Sequence, residues 1–235
     1  MQIMQFRFRS NEKEYLDDSI IATKDLYRNL MELDIINMQL GGYNASRKGL
    51  ATILKTKKTV RAILDIGFGG GDSIKQLSKF ADNNKKKLFF YGVDLKSDCV
   101  TYAEDNLSAI DNKKLICDDY RNISEELLKK IDVIHCSLFL HHLTDEEIIS
   151  LFKFGKSNQC IILANDLHRN WFAYYSIKIL SALFSKSYLV KNDAPLSVKR
   201  GFRKSELVSL LEKAGFKNYS VKWSWAFRYR IVGYE

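Results

Sequence analysis

Residues 62–73 read AILDIGFGGGDS, and no other stretch constrains the fold of this chain as strongly. Ile63, Leu64 and Ile66 form an apolar run around the acidic Asp65, which then breaks into glycines at 67, 69, 70 and 71. A helix-periodic segment starts at Ile74. A short apolar run, a glycine turn and a helix start together predict a buried strand feeding a tight loop. Glycines there tolerate positive φ and let a ligand approach bare backbone. The helix behind them offers unsatisfied N–H groups. The stretch is expected to floor a nucleotide-type pocket.

The spacing narrows the nucleotide. A dinucleotide fingerprint G-x-G-x-x-G counted from Gly67 needs glycine at 72, where Asp72 stands, and a carboxylate suits a pyrophosphate badly. No Gly-Lys pair follows, so a phosphate loop is excluded as well. What remains is D-x-G-x-G-x-G, carried by Asp65, Gly67, Gly69 and Gly71. A second apolar run, LFFYGV, ends at Asp94. Parallel-sheet nucleotide folds put a ribose-binding carboxylate about 20 residues beyond the glycines, near that position. A third run ends in Asp118 and Asp119. The pattern resembles the first motifs of the class I S-adenosylmethionine (SAM) methyltransferases. That resemblance implies SAM as methyl donor, with S-adenosylhomocysteine (SAH) as product. It implies cofactor contacts from Asp65, Gly67, Phe68, Gly69, Gly71, Asp94, Leu95, Asp118, Asp119, Ser137 and Leu138, with the acidic group after the third strand facing the adenine amino group.

Strands alternating with helices predict a doubly wound α/β fold. Strands are expected at 62–66, 88–93, 114–117, 131–138 and 159–164, and an amphipathic helix at 204–214 ends at Gly215. Two aromatic-rich runs at 219–225 and 227–234 read as a closing hairpin. The resemblance implies a Rossmann-like, seven-stranded, mostly parallel sheet of order 3-2-1-4-5-7-6 with strand 7 antiparallel. One domain is expected, divided into a helical cap (1–58), a SAM-binding core (59–168), a substrate lid (169–200) and a C-terminal helix and hairpin (201–235). Within the cap, one helix is expected over 15–33 and another over 35–40, with Gly41-Gly42 breaking the second.

Ligands in such sheets bind beyond the carboxyl ends of the strands. The fourth strand runs into SLFLHHL and the fifth into NDLHR. Imidazole is the side chain suited to proton transfer near neutral pH, which makes His141, His142 and His168 the candidate catalytic bases. No metal site is expected from His141 and His142, because adjacent side chains rarely point the same way. The aromatic segment 171–190 is too short and too interrupted by lysine to span a bilayer. It is expected to roof an apolar substrate pocket, with a homodimer face or a membrane-surface contact as competing uses. Asn165, Arg169, Trp171, Tyr174 and Arg200 are the expected substrate contacts.

Together with INMQLGGYNASRKGL and DAPLSVKRGFRKSELVSLLEKAGF, these motifs resemble a bacterial ubiquinone/menaquinone-type subgroup linked to type III polyketide synthases and aryl-polyene or resorcinol pathways. The likeness implies O- or C-methylation of a small aromatic, polyketide-like or quinone-precursor acceptor. Two alternatives stand beside it: RNA methylation, suggested by a net charge of +9, and a non-catalytic SAM-binding partner subunit. Lysines cluster at 55, 57 and 58, at 85–87 and at 129–130, spread along the chain without a recognisable RNA module, so a solvated surface is expected and no nucleic-acid partner. The start lacks the apolar run of a secretory signal, and four scattered cysteines form no C-x-x-C pair, so a cytoplasmic location is expected.

Overall fold

The computed structural model describes residues 6–18, 20–57 and 59–234; Lys58, one member of the lysine clusters, lies outside them. Two helices, α1 (Thr23–Gln39) and α2 (Tyr43–Thr56), precede β1 (Ala62–Ile66). Then follow α3 (Asp72–Asn83), β2 (Phe89–Asp94), α4 (Ser97–Asn106), β3 (Lys113–Cys117), the single turn α5 (Glu125–Leu128) and β4 (Val133–Ser137). The second half runs α6 (Asp145–Ser157), β5 (Ile161–Leu167), α7 (Trp171–Phe184), α8 (Tyr188–Arg200), α9 (Lys204–Lys213), β6 (Asn218–Ser224) and β7 (Arg228–Tyr234).

The strands pair in the order β3-β2-β1-β4-β5-β7-β6. β1 to β5 are parallel and β7 runs antiparallel to β5, as expected. β1 is buried at every position, because helices cover both faces of a parallel sheet. Its alternate residues serve two cores. Ile63 packs with Leu50, Ile53, Ile74 and Leu77 of α2 and α3. Leu64 and Ile66 pack with Ile148, Leu151 and Phe152 of α6 and Leu207, Leu210 and Leu211 of α9.

Three stretches differ from the pattern expected from sequence. The apolar positions from residue 15 onward do not make one helix: residues 15–17 form a single 3-10 turn, and α1 starts at Thr23 and runs unbroken through the second expected helix. Asp193 of α8 explains the early break by accepting the N–H groups of Tyr15 and Leu16. The apolar segment 171–190 is split between α7 and α8. The cause is Glu32, whose carboxylate takes the Ser185 hydroxyl and the backbone N–H groups of Lys186 and Ser187. β5 extends three residues past the expected end, because β7 pairs with it as far as Leu167 opposite Arg228.

No helix among the described residues is long and apolar enough to cross a membrane. The four cysteines are free thiols. Phe152 is fully buried in the α6–α9 core and meets Phe216 edge-on at 6.4 Å. Phe152→Ala is expected to lower unfolding free energy by about 3–5 kcal/mol, the usual cost of an aromatic-sized cavity, as read from urea denaturation.

Candidate active site

Beyond the carboxyl ends of β1, β2 and β4 lies a cavity of about 1320 Å³. Gly67, Phe68, Gly69 and Gly70 line one side, with Asp94, Leu95, Asp118, Asp119, Ser137 and Leu138 around them. Gly67 and Gly69 have φ of +67° and +54°, the left-handed region that costs glycine nothing. A Cβ on Gly67 would stand 2.4 Å from the Phe139 ring. Leu138 also has positive φ, +54°, an uncommon conformation for a branched residue and one that collects at functional sites.

Asp94 is held in place by backbone. Its Oδ2 accepts the Gly69 N–H at 2.9 Å and its Oδ1 accepts the Lys96 N–H at 3.0 Å. Burial raises its pKa despite those two donors. Each oxygen keeps a further lone pair, so the carboxylate can take two more O–H donors from the cavity. A vicinal ribose diol supplies that pair, so the residues present fit the adenosine end of SAM. Asp118 Oδ1 accepts the Asp119 N–H and the Asn122 side chain. The Asp119 carboxylate is occupied by Arg121, which holds it below the usual range.

Asp65 does not join this group, contrary to expectation. It is buried and does not line the cavity, because its position in β1 turns it to the α2 side. There it ends a chain of hydrogen bonds. Asn165 Nδ2 donates to Ser46 Oγ (2.8 Å), which sits 2.8 Å from His135 Nε2. For a neutral imidazole, the Ser46 hydroxyl donates onward and His135 Nδ1–H donates to Asp65 at 2.7 Å. The sequence patterns pointed to neither His135 nor Ser46, since a buried histidine on a strand carries no local signal. Asn165 likewise lies outside the cavity, held by Ser46, Ser137 and Arg228.

His141 and His142 line the other side of the cavity. A 3-10 turn after β4 places them, and their rings stand 4.3 Å apart at 35°. The two adjacent side chains therefore do point the same way. His141 Nδ1 lies 2.7 Å from Asp166 and His142 Nδ1 2.7 Å from Asp17. Burial opposes ionisation of Asp166, but the charge and hydrogen bond of His141 outweigh it and hold the carboxyl low. Glu14 lies behind the pair, 2% exposed, and burial pushes its carboxyl up to about 7 against the pull of His142, Ser197 and Arg200.

An extended strap before α1 closes this side, with Phe8, Arg9, Ser10, Asn11, Lys13, Leu16 and Asp17 facing the cavity. Sequence reasoning missed the strap, which has no periodicity. Arg200 fastens it. Its guanidinium donates to the carbonyls of Glu12, His141 and His142 and to Asp17. Arg200 reaches the cavity wall, but these partners leave it a clamp rather than a free anion hook. Arg169 is likewise buried, bonded to Glu206 and to the carbonyls of Phe6, Arg7 and Gly201. His168, Arg169, Trp171 and Tyr174 do not line the cavity. His168 packs edge-on against Tyr229, and the outer face of α7 is exposed rather than folded over the pocket as a roof.

Residues 63–154 match the model of the family described as "Methyltransferase domain". No curated protein matches the sequence. Among solved structures, plantazolicin methyltransferase BpumL in complex with SAH and a pentazolic desmethylPZN analog superposes with a TM-score of 0.65 at 17% identity, over 91% of this chain and 94% of that one. A SAM-dependent methyltransferase from Aquifex aeolicus gives 0.60 at 15% identity, over 91% and 98%. The CMeT domain of the citrinin polyketide synthase gives 0.55 at 9% identity, over 76% and 47%. Residues 63–154 are thus similar to that methyltransferase-domain family, and the chain shares the Rossmann-like fold of these methyltransferase structures.

Asp72, in the first turn of α3, lines the cavity, and burial together with the charge of Asp34 pushes its carboxyl from 3.8 to about 6. A raised carboxyl pKa binds its proton more tightly in the folded state. Its contribution is full below pH 3.8 and is lost as pH rises through about 6. Asp72→Asn is expected to remove that slope and to stabilise the protein at pH 8 by about 2–3 kcal/mol, as seen in thermal melts across pH 4–8.

Proposed function

We propose that this enzyme moves a methyl group from SAM to an oxygen or carbon of a small aromatic, polyketide-like or quinone-precursor molecule. One observation carries the reading: a single cavity holds the glycine loop and Asp94 on one side and the paired imidazoles of His141 and His142 on the other. Its volume of about 1320 Å³ exceeds the ~300–1,000 Å³ of a pocket for one drug-sized ligand, which leaves room for donor and acceptor together. The neighbours in fold include proteins named for a natural product, plantazolicin, and for a polyketide synthase, which supports the same acceptor class.

The lining favours this donor. Nine carboxylate residues face the cavity against five basic ones, in a chain whose net charge is +9. A cationic sulfonium with an ammonium group gains from that field, whereas a polyphosphate backbone is repelled. RNA methylation is disfavoured on this ground, since the described lysine clusters at 55, 57, 85, 87, 129 and 130 are exposed on the outer surface. SAM, when bound, supplies an electrophilic methyl group.

The chain's own residues do the rest. Asp94 takes the ribose hydroxyls, and Gly67 and Gly69 let the donor lie against backbone. Asp118 is available to the adenine amino group. His141 and His142, fixed through Nδ1 by Asp166 and Asp17, stand beside the acceptor, and Nε2 of one of them takes the proton that the acceptor loses as the methyl group arrives. The strap and Leu16 screen the reacting atoms from water.

Asp94→Ala is expected to weaken SAH binding at least roughly tenfold in calorimetry, the worth of about 1.4 kcal/mol, and an unchanged affinity removes the ribose assignment. His141→Ala should abolish methylation of whichever phenol in an acceptor panel the wild type accepts while leaving SAH affinity in place. Full turnover in that variant refutes the acceptor-side reading.

A further inference from the structure

The three side chains at the junction of the strap and the turn after β4 are arranged around a gap. His141 Nε2 stands 3.6 Å from Glu14 Oε1, and His142 Nε2 stands 3.9 Å from Glu14 Oε2. Both separations exceed the N–H···O optimum of about 2.9 Å, so these nitrogens are not bonded to the carboxylate they face. Donor atoms bound to one tetrahedral ion at ~2.0–2.1 Å stand roughly 3.4 Å apart, close to this spacing. All three donor atoms lie within 4.8 Å of one another.

The surroundings match that use. Each imidazole gives its Nδ1 to a carboxylate at 2.7 Å, Asp166 for His141 and Asp17 for His142. That pairing fixes the tautomer and leaves Nε2 facing Glu14, with Nδ1 held as in metal-binding imidazoles. Charge points the same way. Glu14, Asp17, Asp166 and Asp193 gather here against the guanidinium of Arg200, which lies 3.9 Å from Glu14 Oε1 and is taken up by carbonyls and Asp17. A metal takes the imidazoles neutral, and Asp17, Asp166 and Asp193 then outnumber that one guanidinium even where Glu14 holds its proton. Ser197 steadies Glu14 by donating to Oε1 at 2.8 Å.

We propose that Glu14, His141 and His142 bind one divalent transition-metal cation of the zinc type, with Asp17 and Asp166 orienting the two imidazoles. Two imidazoles and one carboxylate select such an ion over magnesium or calcium, which prefer all-oxygen sites. His141 and His142 line the cavity, so a further ligand can enter from that side. Its identity as an acceptor oxygen rests on the methyltransferase reading above; the cation site itself rests on the side-chain geometry.

The test uses tag-free, chelator-stripped full-length protein. Zn²⁺ is titrated in competition with a chromophoric chelator, and Co²⁺ is followed by visible absorption. The site predicts one equivalent of metal and Co²⁺ bands of a four- or five-coordinate complex. Glu14→Gln and His142→Ala should each weaken Zn²⁺ binding at least tenfold, and Asp17→Asn roughly tenfold. A pair working as imidazolium ions instead gives no stoichiometric Zn²⁺ binding and no Co²⁺ bands, which overturns the site. So does binding that persists in both ligand variants. The wild-type Co²⁺ spectrum keeps the test decisive even if a variant fails to fold. SAH affinity of the same stripped protein separates the two readings: SAH binding without metal binding overturns the cation site alone, and metal binding without SAH binding overturns the methyltransferase reading alone.

Discussion

The buried guanidinium of Arg200 is the contact on which the histidine-bearing side of the cavity depends. A guanidinium withdrawn from water has to find an acceptor for each N–H, or it carries a large desolvation penalty. Arg200 finds them in the carbonyls of Glu12, His141 and His142 and in Asp17, residues far apart in the chain. Satisfying one cation thus brings together the strap, the end of α8 and the histidine turn. Arg169 does the same one layer away, joining the strap to Gly201 and α9 through Glu206. The wall of the cavity that faces the glycine loop is assembled by these two side chains.

The opposite wall is built by a different force. Burial of alternate β1 residues against α2–α3 on one face and α6–α9 on the other sets the sheet, and the glycine loop follows where β1 ends. Because β1, β2 and β4 are parallel and adjacent, their carboxyl ends deliver Gly67, Asp94 and Leu138 to one edge. Within the sheet, the chain from Asn165 through Ser46 and His135 to Asp65 links β5, α2, β4 and β1 by fully buried hydrogen bonds. Hydrogen bonds made in a low-dielectric interior hold together the elements they cross, although Asp65 Oδ2 is left without a hydrogen-bond partner.

These two constructions give the cavity an electrostatic character opposed to that of the whole chain. The outer surface carries the lysine clusters, and the interior of the cleft gathers carboxylates. Concentrating one sign inside a concave, partly desolvated space raises its effect on a ligand of the other sign. The raised carboxyl of Asp72 on the cleft wall has burial as its main cause, with the charge of Asp34 adding to it.

The glycine loop, the strands that bracket it and the acidic residues at their tips were legible in residues 62–119, because strand period, glycine φ and strand-end chemistry are local properties. The same reasoning reached His141 and His142, and it placed Asp94 and Asp118 on the cleft. It misassigned Asp65, whose neighbours in sequence say nothing about which face of β1 it occupies. It also took Arg169 for a substrate contact, although its partners lie more than thirty residues away in the chain; Arg200 does reach the cavity wall, but its role as a clamp was not legible. The strap, the split of 171–190 by Glu32, and the turning of two adjacent imidazoles toward Glu14 were decided in three dimensions. Each depends on a charged group finding its partner across the fold, and such a match exists only once the chain has closed on itself.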